Sequence, residues 1–143
     1  SRYRGTLRTE NLNGEGPKRA IIDMTQAYPR GTVGSLVRTL ELDPKTNLLE
    51  LCDKYAFKQK PKSIEEVFIT FEKATVSRDR KSVRIGTKTS GLEIRTIDAP
   101  GKFAIAVLEK ESKEHQRTDD IITRITFTPS NLAREICLCF SIG

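Results

Sequence analysis

The stretch IITRITFTPSNLAREICLCFSI, residues 121–142, decides the class of fold. Its first part places Ile121, Ile125 and Phe127 on one face of a strand. Its last part places Ile136, Leu138, Phe140 and Ile142 on one face and Cys137, Cys139 and Ser141 on the other. Successive side chains of a strand point to opposite faces, so an alternation of period two marks a strand with one buried side. Residues 130–135 between them read either as a loop or as the start of a short helix.

The same alternation recurs upstream. Val67, Ile69 and Phe71 alternate with Thr70 and Glu72; Val83 and Ile85 flank Arg84; Leu92 and Ile94 alternate with Glu93 and Arg95. Ser63 and Glu66 imitate a helix capping box, but the β-branched and aromatic content beyond them favours a strand. Ser77-Arg78-Asp79-Arg80 and Asp98-Ala99-Pro100-Gly101 read as turns, the second because Pro and Gly suit the centre of a type II turn. A strand over 103–109 follows, then a charged loop over 110–119.

Nearer the N-terminus, residues 19–25 and 32–42 read as strands separated by a turn at Tyr28-Pro29-Arg30-Gly31. Asp43 and Pro44 then suggest a cap and first position for one helix over residues 44–57. Leu48, Leu51, Cys52 and Tyr55 recur in it at helical spacing. Residues 1–17, with Asn11, Asn13, Gly14, Gly16 and Pro17, read as a flexible basic arm. The expectation is a mainly β chain: an arm over 1–17 and one domain over 18–143. That domain is an antiparallel β-sandwich or jelly roll of about eight strands, with a helix between the second and third.

Composition narrows the function class. At 143 residues the chain can bury one core, and no stretch approaches the roughly 18 apolar residues of a membrane span. Ser1-Arg2-Tyr3-Arg4 lacks the apolar region of a secretory signal. Three cysteines, Cys52, Cys137 and Cys139, in a chain of this size point to a reducing, intracellular compartment or to at least one free thiol, with core thiols expected and redox or disulfide use as the alternative. A virion is a second setting consistent with them. Net charge is +6, and residues 1–62 hold 12 Lys/Arg against 7 Asp/Glu, so the basic excess lies in the first part of the chain.

No catalytic constellation is complete. His115, the one histidine, sits in a charged run where solvent rather than a nucleophile is its expected neighbour. Glu65-Glu66 and Asp119-Asp120 are adjacent pairs, whose members point apart on a strand. The metal expectation is also negative. Cys137 and Cys139 lie two apart, which sets their backbones roughly 6–7 Å apart, long for two thiolates on one tetrahedral ion. Gly14-Glu15-Gly16-Pro17-Lys18 lacks the strand, the free N–H groups and the helix of a phosphate loop. No cofactor and no small-molecule substrate are expected.

The basic residues carry what functional weight there is. Lys54, Tyr55, Phe57, Lys58, Lys60 and Lys62 interleave cations with aromatic rings. Arg78, Arg80 and Lys81 crowd one turn, and Arg2, Arg4, Arg8, Lys18 and Arg19 line the N-terminal region. Cations on phosphates with bases stacked on rings is how single-stranded nucleic acid is held, and the same cations suit acidic lipid headgroups. The expectation is therefore a non-enzymatic assembly protein, resembling a small viral coat subunit in architecture, that self-associates into a homo-oligomer and binds nucleic acid. The alternatives are a matrix-like or movement-like adaptor on acidic membrane or ribonucleoprotein, and a cellular β-sandwich interaction module.

Overall fold

A computed structural model describes residues 3–115 and 120–143. Arg2, Asp119 and the His115 side chain lie outside the described residues. Eleven strands run in chain order: β1 Thr6–Glu10, β2 Lys18–Asp23, β3 Ser35–Asp43, β4 Leu48–Ala56, β5 Glu66–Thr70, β6 Ala74–Val76, β7 Ser82–Gly86, β8 Gly91–Thr96, β9 Gly101–Leu108, β10 Ile122–Pro129 and β11 Glu135–Ile142. A 3-10 turn, Thr25–Ala27, precedes β3, and helix α1, Glu109–His115, joins β9 to β10. The large sheet has the order β1-β2-β3-β4-β11-β8-β7-β6, and the small sheet β5-β10-β9. Every strand pairing is antiparallel.

The decisive stretch supplies one strand to each sheet. β10 is the middle of the small sheet and β11 sits inside the large one, so loop 130–134 carries the chain from one layer to the other. Phe127 and Ile125 from β10 and Leu138 and Phe140 from β11 are completely buried. Phe140 is the hub, with its ring centroid 5.2 Å from Phe127, 5.3 Å from Phe68 and 6.1 Å from Phe103. Edge-on arrangements of this kind set positive ring edges against negative faces, adding to the burial of apolar area.

The core lies between the small sheet and the half of the large sheet from β4 to β6. Leu51, Val83, Ile94 and Ala74 complete it from below. Beyond β4 the large sheet runs on through β3, β2 and β1, where Leu36 is the one buried residue.

Among the described residues the strands number eleven rather than about eight, and further expectations need correction. Residues 44–57 are not a helix. Asp43 does collect a backbone N–H, that of Lys45 at 2.9 Å, but as a tight turn, and Asn47 takes a positive φ of 55° before the chain returns as β4. Positions 48, 51, 52 and 55 fit a helix, but Leu49, Leu51, Asp53 and Tyr55 also alternate, and pairing with β3 and β11 on both sides selects the strand. Part of the N-terminal arm is strand β1, paired to β2 over five residues. The charged run contains helix α1, anchored where Ser112 Oγ accepts the N–H of Ile122 at 2.9 Å and donates to the Leu108 carbonyl. Finally, sheets of eight and three strands are not the paired Greek keys of a jelly roll.

Asp98-Ala99-Pro100-Gly101 links the two layers, taking the chain from β8 in the large sheet to β9 in the small one. Ser77–Arg80 is a turn, closed by Arg80 N–H to the Ser77 carbonyl at 2.9 Å. Residues 130–134 form a loop with no helix.

Candidate functional site

Where the small sheet meets β3 and β4, four polar side chains converge. Arg38 on β3 and Asp53 on β4 are cross-strand partners on the inward face. The guanidinium donates from Nε to Asp53 Oδ1 at 2.8 Å and from Nη2 to Oδ2 at 2.5 Å, a two-pronged pair. Asp53 is wholly buried. Across the layer boundary, Glu66 at the start of β5 lies 3.5 Å from the same Nη2 and accepts the hydroxyl of Tyr55.

Burial and the neighbouring Asp53 charge push the Glu66 carboxyl up to about 7; Arg38 and the Tyr55 hydroxyl pull the other way. Burial, then the Glu66 contact, drives the Tyr55 phenol above its ordinary value. Carboxylate pairs of raised pKa recur in acid–base sites, but such chemistry requires access to substrate. Here both carboxylates are at least 95% shielded. Two surface clefts, one including Thr75, Arg84, Lys88 and Glu93 and the other Gly34, Phe57, Lys58 and Arg134, lie apart from the four residues. The cluster ties the two sheets together.

The basic residues singled out in the sequence are spread over three places. Arg4 and Arg8 lie on or beside β1 at one edge of the large sheet, Lys54 to Lys62 on and after its middle strand β4, and Arg78 to Lys81 at the β6–β7 turn on the opposite edge. At a spacing of ~4.8 Å per strand, β1 and β6 are roughly 34 Å apart. Several of these charges are engaged. Arg19 is held by Glu41 at 2.5 Å and Glu10 at 3.2 Å, Arg8 stands 3.6 Å from Glu10, and Lys18 bonds back to the Gly14 carbonyl. Arg80 donates to the Phe103 carbonyl at 2.9 Å, fastening β9. Tyr55 is turned inward to Glu66, with Phe57 stacked on it at 5.4 Å.

Basic side chains do gather in the two clefts, Lys73, Arg84 and Lys88 in one and Lys58 with Arg134 in the other. Phe57 and Arg134 exchange backbone contacts, the Phe57 N–H reaching the Arg134 carbonyl at 2.7 Å. This places Arg134, which was not singled out in the sequence, in the same cleft as Lys58. Lys58, Lys60 and Lys62 are exposed along the connection from β4 to β5, while Arg78 and Lys81 are exposed at their own turn.

The cysteines are not core residues. Alternation turns them away from Leu51, Leu138 and Phe140, onto the outer face of the large sheet. Cys52 and Cys139 are register partners, Cα atoms 4.2 Å apart, and form a disulfide. A bridge in a chain read as thiol-bearing removes the argument for a reducing compartment. Cys137 is a free, exposed thiol with its Sγ 3.7 Å from that of Cys139. Side chains two apart on a strand lean together here, closer at sulfur than their backbone spacing implies. Partial burial pushes the Cys137 thiol up, against the opposing pull of Lys54.

The outward face of the small sheet is the feature that sequence reading left without a role. Val67 and Ile69 of β5 point out beside Thr126 and Arg124 of β10 and, beyond them, Ala104 and Ala106 of β9. Val67 is 41%, Ile69 57% and nearby Phe71 62% exposed. Arg124 interrupts this apolar surface, and Glu65 neutralises it at 2.9 Å. β5 is an open edge of this sheet, whereas β9 at the other edge is fastened at Phe103, whose N–H reaches the Arg80 carbonyl at 2.9 Å.

Fold and surface together define a two-layer antiparallel β protein with an uncovered apolar face on its smaller sheet. No family model and no curated protein matches the chain. Among the described residues, no helix is long and apolar enough to cross a membrane.

Proposed function

We propose that this domain is a non-enzymatic interaction module that self-associates through the outer face of the small sheet. The observation that carries the reading is Val67 and Ile69 on β5 with Phe71 just beyond its end, each 41–62% exposed. Scattered exposed apolar residues are ordinary, whereas contiguous ones on one sheet mark an interface. A second copy is the favoured partner. The chain carries a net charge of +6, so like copies repel in general, but at the centre of this face Arg124 is neutralised by Glu65, and Lys102 lies toward its far end on β9. Two such faces can meet over Val67 and Ile69, and the adjoining open edge of β5 extends the contact.

Of the coat-like expectation, self-association is the part carried forward. The jelly-roll layout and the inserted helix that suggested a viral coat are not features of this fold. Nucleic acid or an acidic membrane stays as a second reading, favoured by the exposed Lys58, Lys60 and Lys62 of the β4–β5 connection with Arg134 in the same cleft as Lys58.

Light scattering after gel filtration, with absorbance at two wavelengths recorded before and after nuclease, tests both. A defined dimer or larger closed oligomer, reduced to monomer by Ile69→Lys, is the expected result. A monomer at high concentration overturns the self-association reading. Material whose mass falls on nuclease treatment shifts the assignment to nucleic acid.

A further inference from the structure

We infer that the outer face of the large sheet carries a soft-metal site, formed by Cys52, Cys137 and Cys139 when the Cys52–Cys139 bridge is reduced. The three sulfurs all lie within 4.8 Å of one another, on two paired strands of a sheet. Thiolates bound to one tetrahedral zinc at about 2.3 Å stand about 3.8 Å from each other. The Cys137–Cys139 sulfur separation is already 3.7 Å. The bridged pair must move apart once its bond is broken, while the Cys52 and Cys137 sulfurs already lie within 4.8 Å. Strand pairing holds Cys52 directly opposite Cys139 whether or not the bridge is present.

The surroundings suit an ion. Cys137 is exposed, so the site opens to solvent. A Glu50 carboxylate oxygen lies 3.4 Å from the Cys52 sulfur and is the nearest group for the fourth position, which water fills otherwise. Three thiolates and one divalent ion carry a net charge of about −1. Lys54, the register partner of Cys137, offsets that charge, while Asp53 and Asp98 oppose it from nearby.

The disulfide and the metal exclude each other, since both use the sulfurs of Cys52 and Cys139. In the forward direction a dithiol or phosphine takes up the oxidising equivalents of the bridge, leaving two thiols beside that of Cys137. Binding of the ion then releases three protons to buffer. A disulfide oxidant reverses the sequence: two thiolates surrender an electron pair, the sulfur–sulfur bond re-forms and the ion leaves. The ligands expected are zinc or cadmium, because thiolates prefer soft and borderline ions over magnesium or calcium.

Titration of cadmium chloride into the full chain tests this, following the thiolate-to-metal charge-transfer absorption, with β-structure checked by circular dichroism. The reduced protein should bind one equivalent and the bridge-intact protein none. Cys137→Ser leaves the bridge untouched and should weaken binding by roughly 100-fold, the upper end of what losing even a supporting partner of a ligand costs. Cys52→Ser separates the folded site from simple chelation by the Cys137-Leu138-Cys139 segment, and should weaken binding as much. Unchanged affinity in Cys52→Ser overturns the inference. So does uptake by the bridge-intact protein, or a reduced protein that has lost its β-structure and does not regain it with metal.

Discussion

Glu66 on the small sheet accepts the hydroxyl proton of Tyr55 on the large one, a contact that crosses the boundary between the two layers. Its consequence is a pH-dependent seam. Burial and the Asp53 charge raise the Glu66 carboxyl to about 7 in the folded chain, against 4.5 for an ordinary glutamate. A group whose folded value is raised binds more protons folded than unfolded. Its contribution is therefore complete below pH 4.5 and is lost as pH rises through 7. The loss is on the order of 3 kcal/mol. Urea midpoints between pH 5 and 8 should fall in the wild type, and Glu66→Gln, which keeps the neutral form, should remove most of that slope. A slope identical in the two proteins would assign the dependence to other groups.

Arg38 should be the most damaging single polar position. Arg38→Ala leaves Asp53, wholly buried, beside Glu66 with no cation. Removing one partner of a buried ion pair typically costs about 3–5 kcal/mol, because the remaining charge stays desolvated. Denaturant unfolding of Arg38→Ala should show a loss of that size. Adding Asp53→Asn to it should recover part of the loss, since the amide needs no counter-charge. If the double variant is no more stable than the single one, the damage comes from lost packing of the arginine stem.

The helix expected over 44–57 rests on Asp43, Pro44 and the spacing of Leu48, Leu51, Cys52 and Tyr55, and the Arg38–Asp53 pair bears on why the chain forms β4 instead. In a strand register, Asp53 alternates with Leu51 and Tyr55 and must face inward, which looks forbidden for a carboxylate. Arg38 makes the strand register acceptable, and Arg38 lies 15 residues upstream on β3, beyond the reach of any local pattern. β5, β10 and β11 were legible because their alternating residues are apolar and need no distant partner. The candidate surfaces divided the same way. Alternation sets Cys137 and Cys139 on the face opposite Leu138 and Phe140, but Cys52 is expected on a helix, and its bond to Cys139 depends on the pairing of β4 with β11. Arg134 joined the basic group only through its backbone contact with Phe57.

Gly101 should tolerate no side chain. A Cβ built there lies 2.3 Å from the Phe127 ring and 2.6 Å from the Thr128 carbonyl oxygen, both fixed, one by the core and one by the sheet. Ring and backbone must both shift, and forced overpacking costs about 1–3 kcal/mol. Gly101→Ala should lower the midpoint of thermal unfolding by an amount matching that cost. The comparison is Gly31→Ala, where the added carbon meets nothing within 4 Å and the penalty comes from a φ of 91° alone. Equal losses at the two sites would show that Phe127 yields, and that the core around Phe140 is looser than its ring geometry implies.

The basic group at the β4–β5 connection sets the last expectation. Four cations, Lys58, Lys60, Lys62 and Arg134, engaging phosphates of a single strand should give a slope of log affinity against log salt of roughly −3. Labelled oligonucleotide anisotropy across a salt series reads it directly. Changing Lys58, Lys60 and Lys62 together to Ala should flatten the slope by about 2 units, one cation of the group remaining. Arg78→Ala with Lys81→Ala should leave it unchanged, because that turn is four strands away across the large sheet. Phe57→Leu adds a second axis. Its ring is half-buried and stacked on Tyr55, so it is not free to take a base, and the substitution should alter stability more than affinity. An oligonucleotide that fails to bind at low salt ends the nucleic-acid reading, and equal effects from both sets of substitutions would mean diffuse attraction to the whole +6 chain rather than a site.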